Sequence, residues 1–113
     1  MDYQENLPLS EAVFFILLSL APGAKHGYAI MKDVEVLSDS RVSLSTGTLY
    51  GALKRLLDAG WIDRVEEGQN GSGRERKAYT LTQLGKGILE AETARMQNLV
   101  ITAQSRSTAR GEI

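Results

Sequence analysis

Three features of this 113-residue chain predict a mainly helical fold with one small β-hairpin. Apolar residues recur at helical spacing through most of its length. Serine and threonine caps and proline or glycine stops cut that pattern into separate helices. Late in the chain the period changes to two on either side of a glycine-rich run, "EGQNGSG". At 42% hydrophobic and 24% charged residues, the composition suits one globular core with an appended element.

The first helix follows Pro8 and is capped by Ser10. It runs through "AVFFILLSLA" and stops at Pro22 and Gly23. A second lies in "HGYAIMKDVEVLS", where Tyr28, Met31, Val34 and Leu37 fall on one side at steps of three. The polar break "SDSRVS" separates it from the best-delimited element, "STGTLYGALKRLLDAGWI". There Ser45 is the N-cap, Leu44 and Leu49 form a hydrophobic staple, and Gly60 is the left-handed stop. Leu49, Ala52, Leu53, Leu56 and Leu57 keep the i, i+3, i+4, i+7, i+8 pattern. "WIDRVEE" and "RKAYTLT" then alternate as the two strands of the hairpin. Trp61 is read as core or hinge packing, and Tyr79 and Leu81 as anchors of the hairpin. Thr82 caps a last helix from about Gln83 into the region of Ser105, beyond which the tail "SRSTARGEI" is expected to fray.

Helix, helix, capped helix, hairpin is the order of a winged helix-turn-helix. In that architecture the third helix lies in a DNA major groove and the hairpin, the wing, follows the backbone. The expected division is residues 1–82 for this DNA-binding domain and 83–113 for a C-terminal dimerisation helix with its tail.

The third helix contains an anomaly that favours a binding role. Gly47 and Gly51 each cost a helix about 1 kcal/mol relative to alanine. On a helical projection both fall opposite the apolar stripe, beside Tyr50, Lys54 and Asp58, with Thr48 and Arg55 on the flank. An exposed glycine leaves backbone bare for the close approach of another large body. The helix start also favours anions. The net charge of −1 hides two basic islands: 41–64 carries +2 and 72–86 carries +3. The second puts Arg74, Arg76 and Lys77 where a phosphate-tracking wing needs them. The expected DNA-binding residues are therefore Ser45, Thr46, Gly47, Thr48, Tyr50, Gly51, Lys54, Arg55, Arg74, Arg76 and Lys77. Thr46, Thr48, Tyr50 and Lys54 are assigned to base edges, and the arginines and Lys77 to phosphates. A tolerated Gly47 beside a solvated Lys54 and Arg55 is the alternative for these residues, and a winged-helix module that binds protein and not DNA is the rival function.

In the last helix Leu89, Met96 and Ala103 recur every seven residues, with Leu99 and Val100 alongside. Such a stripe suits packing on a twin helix or on a partner's first helix, giving a homodimer; the alternative is packing on its own domain. Dimerisation would place two third helices about 34 Å apart, matching half-sites about 10 bp apart.

Other function classes find no support. The chain has no cysteine, so it lacks a disulfide framework, a thiolate metal site and a thiol nucleophile. Its single histidine, His26, is read as a helix-start or hydrogen-bonding residue, and no metal or cofactor is expected. No carboxylate pair or serine–base pattern suggests an enzyme. The glycine run lacks the G-K-[ST] of a phosphate loop. The longest apolar run, Ala12 to Ala21, is half the ~20 residues that span a membrane, so a cytoplasmic protein without membrane contact is expected.

The segments "HGYAIMKDV", "STGTLYGALKRLLDAGWI" and "GRERKAYTLTQLGKGIL" resemble successive signatures of the PadR family of bacterial transcriptional regulators, in its compact form with a single C-terminal helix. The resemblance covers roughly residues 10 to 90. It implies a winged-helix repressor that dimerises through its C-terminal helix and binds palindromic operator DNA. It also implies DNA contact by Tyr50, Arg76 and Lys77, and release by a small hydrophobic or phenolic effector at the dimer interface. Many members carry proline where this chain has Gly51.

Overall fold

The computed structural model describes residues 3–67 and 76–107. A 3-10 turn at Gln4–Asn6 leads into α1 (Glu11–Leu20), β1 (Lys25–His26), α2 (Gly27–Leu37), α3 (Thr46–Ala59), β2 (Ile62–Glu67), β3 (Arg76–Leu81) and α4 (Gln83–Ser107). The helix starts follow the cap chemistry read from the sequence. Ser10 Oγ accepts from the Val13 amide and Ser45 Oγ from the Thr48 amide. Thr82 Oγ1 accepts from the Gly85 amide and donates to the Gly60 carbonyl, joining the end of α3 to the start of α4. Gly60 ends α3 at φ 80°, and its amide bonds back into the last turn. Each such cap contributes about 1 kcal/mol.

The sheet has three strands, in the order β1-β3-β2, all antiparallel. The predicted hairpin is β2–β3, with Ile62 opposite Leu81 and Glu67 opposite Arg76. Strand β1 went unread in the sequence. Two residues are too few to show a period, and Lys25 and His26 pair only because β3 offers its second edge. His26 Nδ1 lies 3.1 Å from the Lys77 carbonyl and reinforces that pairing as a hydrogen-bonding residue. The glycine-rich tip (68–75) and the tail (108–113) lie outside the described residues.

One core joins all the helices to the sheet. Ile16, Leu17 and Leu20 of α1 meet Ile30 and Val34 of α2 and the Leu49, Leu53 and Leu56 side of α3. Ile62, Tyr79 and Leu81 close it from the sheet, and Ile88 and Leu89 from α4. Trp61 packs on its rim, as hinge packing requires. The expected stripe of α2 needs correction. Met31 and Val34 do face inward, but Tyr28 and Leu37 are exposed. The buried side is Gly27, Ile30 and Val34, spaced i, i+3, i+7. Steps of three drift off a 3.6-residue turn within two turns.

Buried Glu92 is the unheralded element of the body. Its carboxylate accepts from Arg95 Nε at 2.6 Å and Nη2 at 3.1 Å, and from the Leu9 amide at 3.0 Å. These bonds, the Arg95 pair first, hold its pKa below the ordinary glutamate value, against the opposing effect of burial. The carboxylate thereby ties the N-terminal segment to α4. Tyr3 makes a second tie, its ring lying where a side chain at Gly87 would stand.

Candidate nucleic-acid interface

The solvent-facing side of α3 matches the projection drawn from the sequence. Leu49, Ala52, Leu53 and Leu56 are buried, while Thr46, Gly47, Thr48, Tyr50, Gly51, Lys54 and Arg55 are exposed. A Cβ built on Gly47 meets nothing within 4 Å, and one on Gly51 only Arg55 Nη1 at 3.9 Å. Packing within the chain therefore does not require either glycine. The backbone there is open to an outside body.

Other residues of the face are less free than the sequence suggests. Ser45 and Thr48 serve the cap first: Ser45 Oγ accepts the Thr48 amide at 3.1 Å and donates to Thr48 Oγ1 at 2.9 Å. Lys54 pairs with Asp58 one turn on, at 3.3 Å, with both side chains well exposed. Such an exposed pair contributes about 0.3–0.5 kcal/mol and opens readily to a competing anion. Tyr50 is half-exposed, and its hydroxyl leans back against Gly27 at the start of α2, where a Cβ would have to displace the ring. No sequence period could have shown this contact, because it joins residues of two different helices.

On the wing, Lys77 is exposed in β3, at the ladder position opposite Glu66. Arg76 opens that strand opposite Glu67. Arg74 falls outside the described residues. The basic strand and the glycine-bearing helix are held in one body by the β2–β3 hairpin, which follows α3 after a single turn at Gly60 and Trp61.

Along α4 the expected stripe divides. Leu89, at 8% exposure, packs mainly on its own core, as the alternative reading of the stripe has it. Met96 is half-buried, whereas Leu99, Val100 and Ala103 are exposed. Ile101 is exposed too, and the heptad reading missed it because it lies off that stripe. An apolar groove of about 580 Å³ lies between α1 and the first half of α4, with Leu18 and Ala21 on one wall and Leu89 and Ala94 on the other.

A three-helix core, an antiparallel wing and a protruding fourth helix define a winged helix-turn-helix of the transcription-regulator kind. The chain belongs to the transcriptional regulator PadR-like family, whose profile matches residues 16–91. Among solved structures it is similar to a PadR family transcription regulator from Clostridium difficile R20291. That likeness has 29% identity and a TM-score of 0.68, over 86% of this chain and 97% of the other. It is also similar to Bacillus subtilis PadR, solved in complex with operator DNA, at 32% identity and a TM-score of 0.65, over 75% of this chain and 46% of that one. A curated relative, an uncharacterised 37.1 kDa protein in transposon TN4556 of Streptomyces fradiae, is 39% identical over 90 residues. The chain spans about a quarter of that protein's length, 24%. The family is one of regulators, not enzymes. Among the described residues no group of His, Cys, Asp or Glu is placed to hold a metal, and no helix is long and apolar enough to cross a membrane.

Proposed function

We propose that this chain is a homodimeric, sequence-specific repressor that binds a palindromic operator in the cytoplasm. The open, cation-flanked face of α3 carries the reading: two glycines that no internal contact demands lie beside Tyr50, Lys54 and Arg55. The operator complex of the Bacillus subtilis relative supports it. In this reading α3 enters the major groove, with Thr46, Thr48, Tyr50 and Lys54 toward base edges. Arg55, Arg74, Arg76 and Lys77 then track phosphates. The exposed apolar turn of α4 packs against a second copy, and a small hydrophobic effector at that junction would alter the spacing of the two α3 helices.

The test is fluorescence anisotropy with sheared genomic DNA over a range of KCl, followed by selection of the preferred duplex. The expected result is binding that weakens steeply with salt and a selected sequence with two-fold symmetry. Lys77→Ala should weaken binding to all sequences and flatten the salt slope by about one. A salt-insensitive protein with no DNA signal would instead be a protein-binding winged helix.

A further inference from the structure

Between α3 and the sheet runs a groove of about 500 Å³. Its sheet wall is ordered by the ladder, since direct cross-strand partners share a face. Ile62 and Leu81 come first and lie in the core, so this is the inward face. Arg64 opposite Tyr79 is the next pair outward on that face, and Glu66 opposite Lys77 the one after. Tyr50, Lys54 and Asp58 of α3 form the other wall over Leu53 and Leu57. Lys54 and Asp58 on the helix wall cancel in charge, so Arg64 sets the net sign of the groove.

The two phenols and the guanidinium sense one another. Burial first, then Tyr50 beside it, push the Tyr79 phenol above its usual value, while Arg64 pulls it down. Tyr79 is thus a neutral hydrogen-bond donor at physiological pH. One cation and one neutral hydroxyl over an apolar floor complement a single monoanion. A phosphate oxygen there would gain charge-assisted bonds partly shielded from water.

We infer that this groove seats one backbone phosphate of bound DNA, with Arg64 as its charge partner and the Tyr79 hydroxyl as donor. The inference deepens the DNA-binding reading and rests on it. A strand held there would be gripped at the junction of helix and wing, so Arg64 fixes the register of α3 in the groove without reading sequence.

The experiment measures affinity for a fluorescein-labelled duplex of mixed sequence against KCl concentration, for the wild type, Arg64→Gln and Tyr79→Phe. Arg64→Gln should bind about threefold to tenfold more weakly, with a salt slope lower by about 0.9. Tyr79→Phe keeps the buried ring and should lose a few-fold in affinity with the slope unchanged. Circular dichroism confirms that both variants fold. A wild type that binds with salt dependence, beside an Arg64→Gln variant of unaltered slope, overturns the phosphate seat and leaves the regulator reading standing. A wild type that binds no DNA overturns both. Saturable, Arg64-dependent binding of inorganic phosphate at constant ionic strength, with the DNA slope unaltered, would assign the groove to the free ion and also overturn the inference.

Discussion

At the scale of single residues, the glycines separate folding from binding. Gly47 and Gly51 have room for a methyl group, and each lowers helix stability by about 1 kcal/mol relative to alanine. Gly47→Ala and Gly51→Ala should therefore raise the melting temperature, by about 4–8 °C per kcal/mol gained in a chain of this size. If DNA approaches this backbone, the same variants should bind it more weakly. Thermal melts and anisotropy titrations on the same samples check both halves, and a variant that gains stability without losing affinity would show that the bare backbone is not a contact. Gly85 behaves in the opposite way. A Cβ there would collide with the Trp61 carbonyl, which is backbone and hydrogen-bonded to the Thr82 amide. Gly85→Ala should cost about 1–3 kcal/mol in chemical denaturation, because neither partner can swing aside.

At the scale of elements, the parts of the fold that rest on local chemistry were legible in the sequence. The caps at Ser10, Ser45 and Thr82, the stop at Gly60 and the apolar side of α3 all follow from neighbours within a turn or two. What long-range contact decides was not legible. Strand β1 exists only as a second edge of β3, and the inward turn of Tyr50 depends on Gly27 of another helix. The Glu92 clamp belongs to this class, since its partner Leu9 is 83 residues away in sequence. A glutamate between Ala91 and Thr93 in a polar-looking helix gives no sign of burial, yet it is 2% exposed. Its consequence is a pH dependence of known sign. Its folded pKa is lowered, so the clamp stabilises fully above the ordinary glutamate value of about 4.3 and is lost as pH falls through the folded pKa. Urea midpoints measured between pH 3 and 6 should decline toward the acid end. Glu92→Gln should flatten that decline and cost about 1–3 kcal/mol at neutral pH, because the part-buried Leu9 amide and Arg95 lose their charged acceptor. An acid limb of undiminished steepness in the variant would place its origin in other carboxylates.

At the scale of the whole molecule, the long axis raises the question of a partner. The chain measures 63 × 33 × 22 Å, and α4, with 25 residues, is about 37 Å long at 1.5 Å per residue. Only its first half is held by the body, through Ile88, Leu89 and the Glu92 clamp. From Gln97 to Arg106 every residue is exposed, including Leu99, Val100 and Ile101 at 55%, 48% and 52%. A free helix of that length is marginal in water, and three neighbouring aliphatic side chains left half wet forgo roughly 1 kcal/mol each. A second copy resolves both deficits if its own distal turn lies along the groove between α1 and α4, and two-fold symmetry then makes the contact twice. On that geometry the Leu99→Glu, Val100→Glu double variant should sediment as a monomer at concentrations where the wild type is a dimer. Its unfolding midpoint in the monomeric range should move little, since exposed substitutions generally cost under about 0.5 kcal/mol. Affinity for a two-fold symmetric duplex should fall by about 10²–10⁴, the gain that linking two half-site contacts provides, while affinity for a single half-site stays near that of wild type. A variant that remains dimeric would move the subunit interface away from the distal half of α4, and the 34 Å spacing expected of the two α3 helices would then have to be set by some other face.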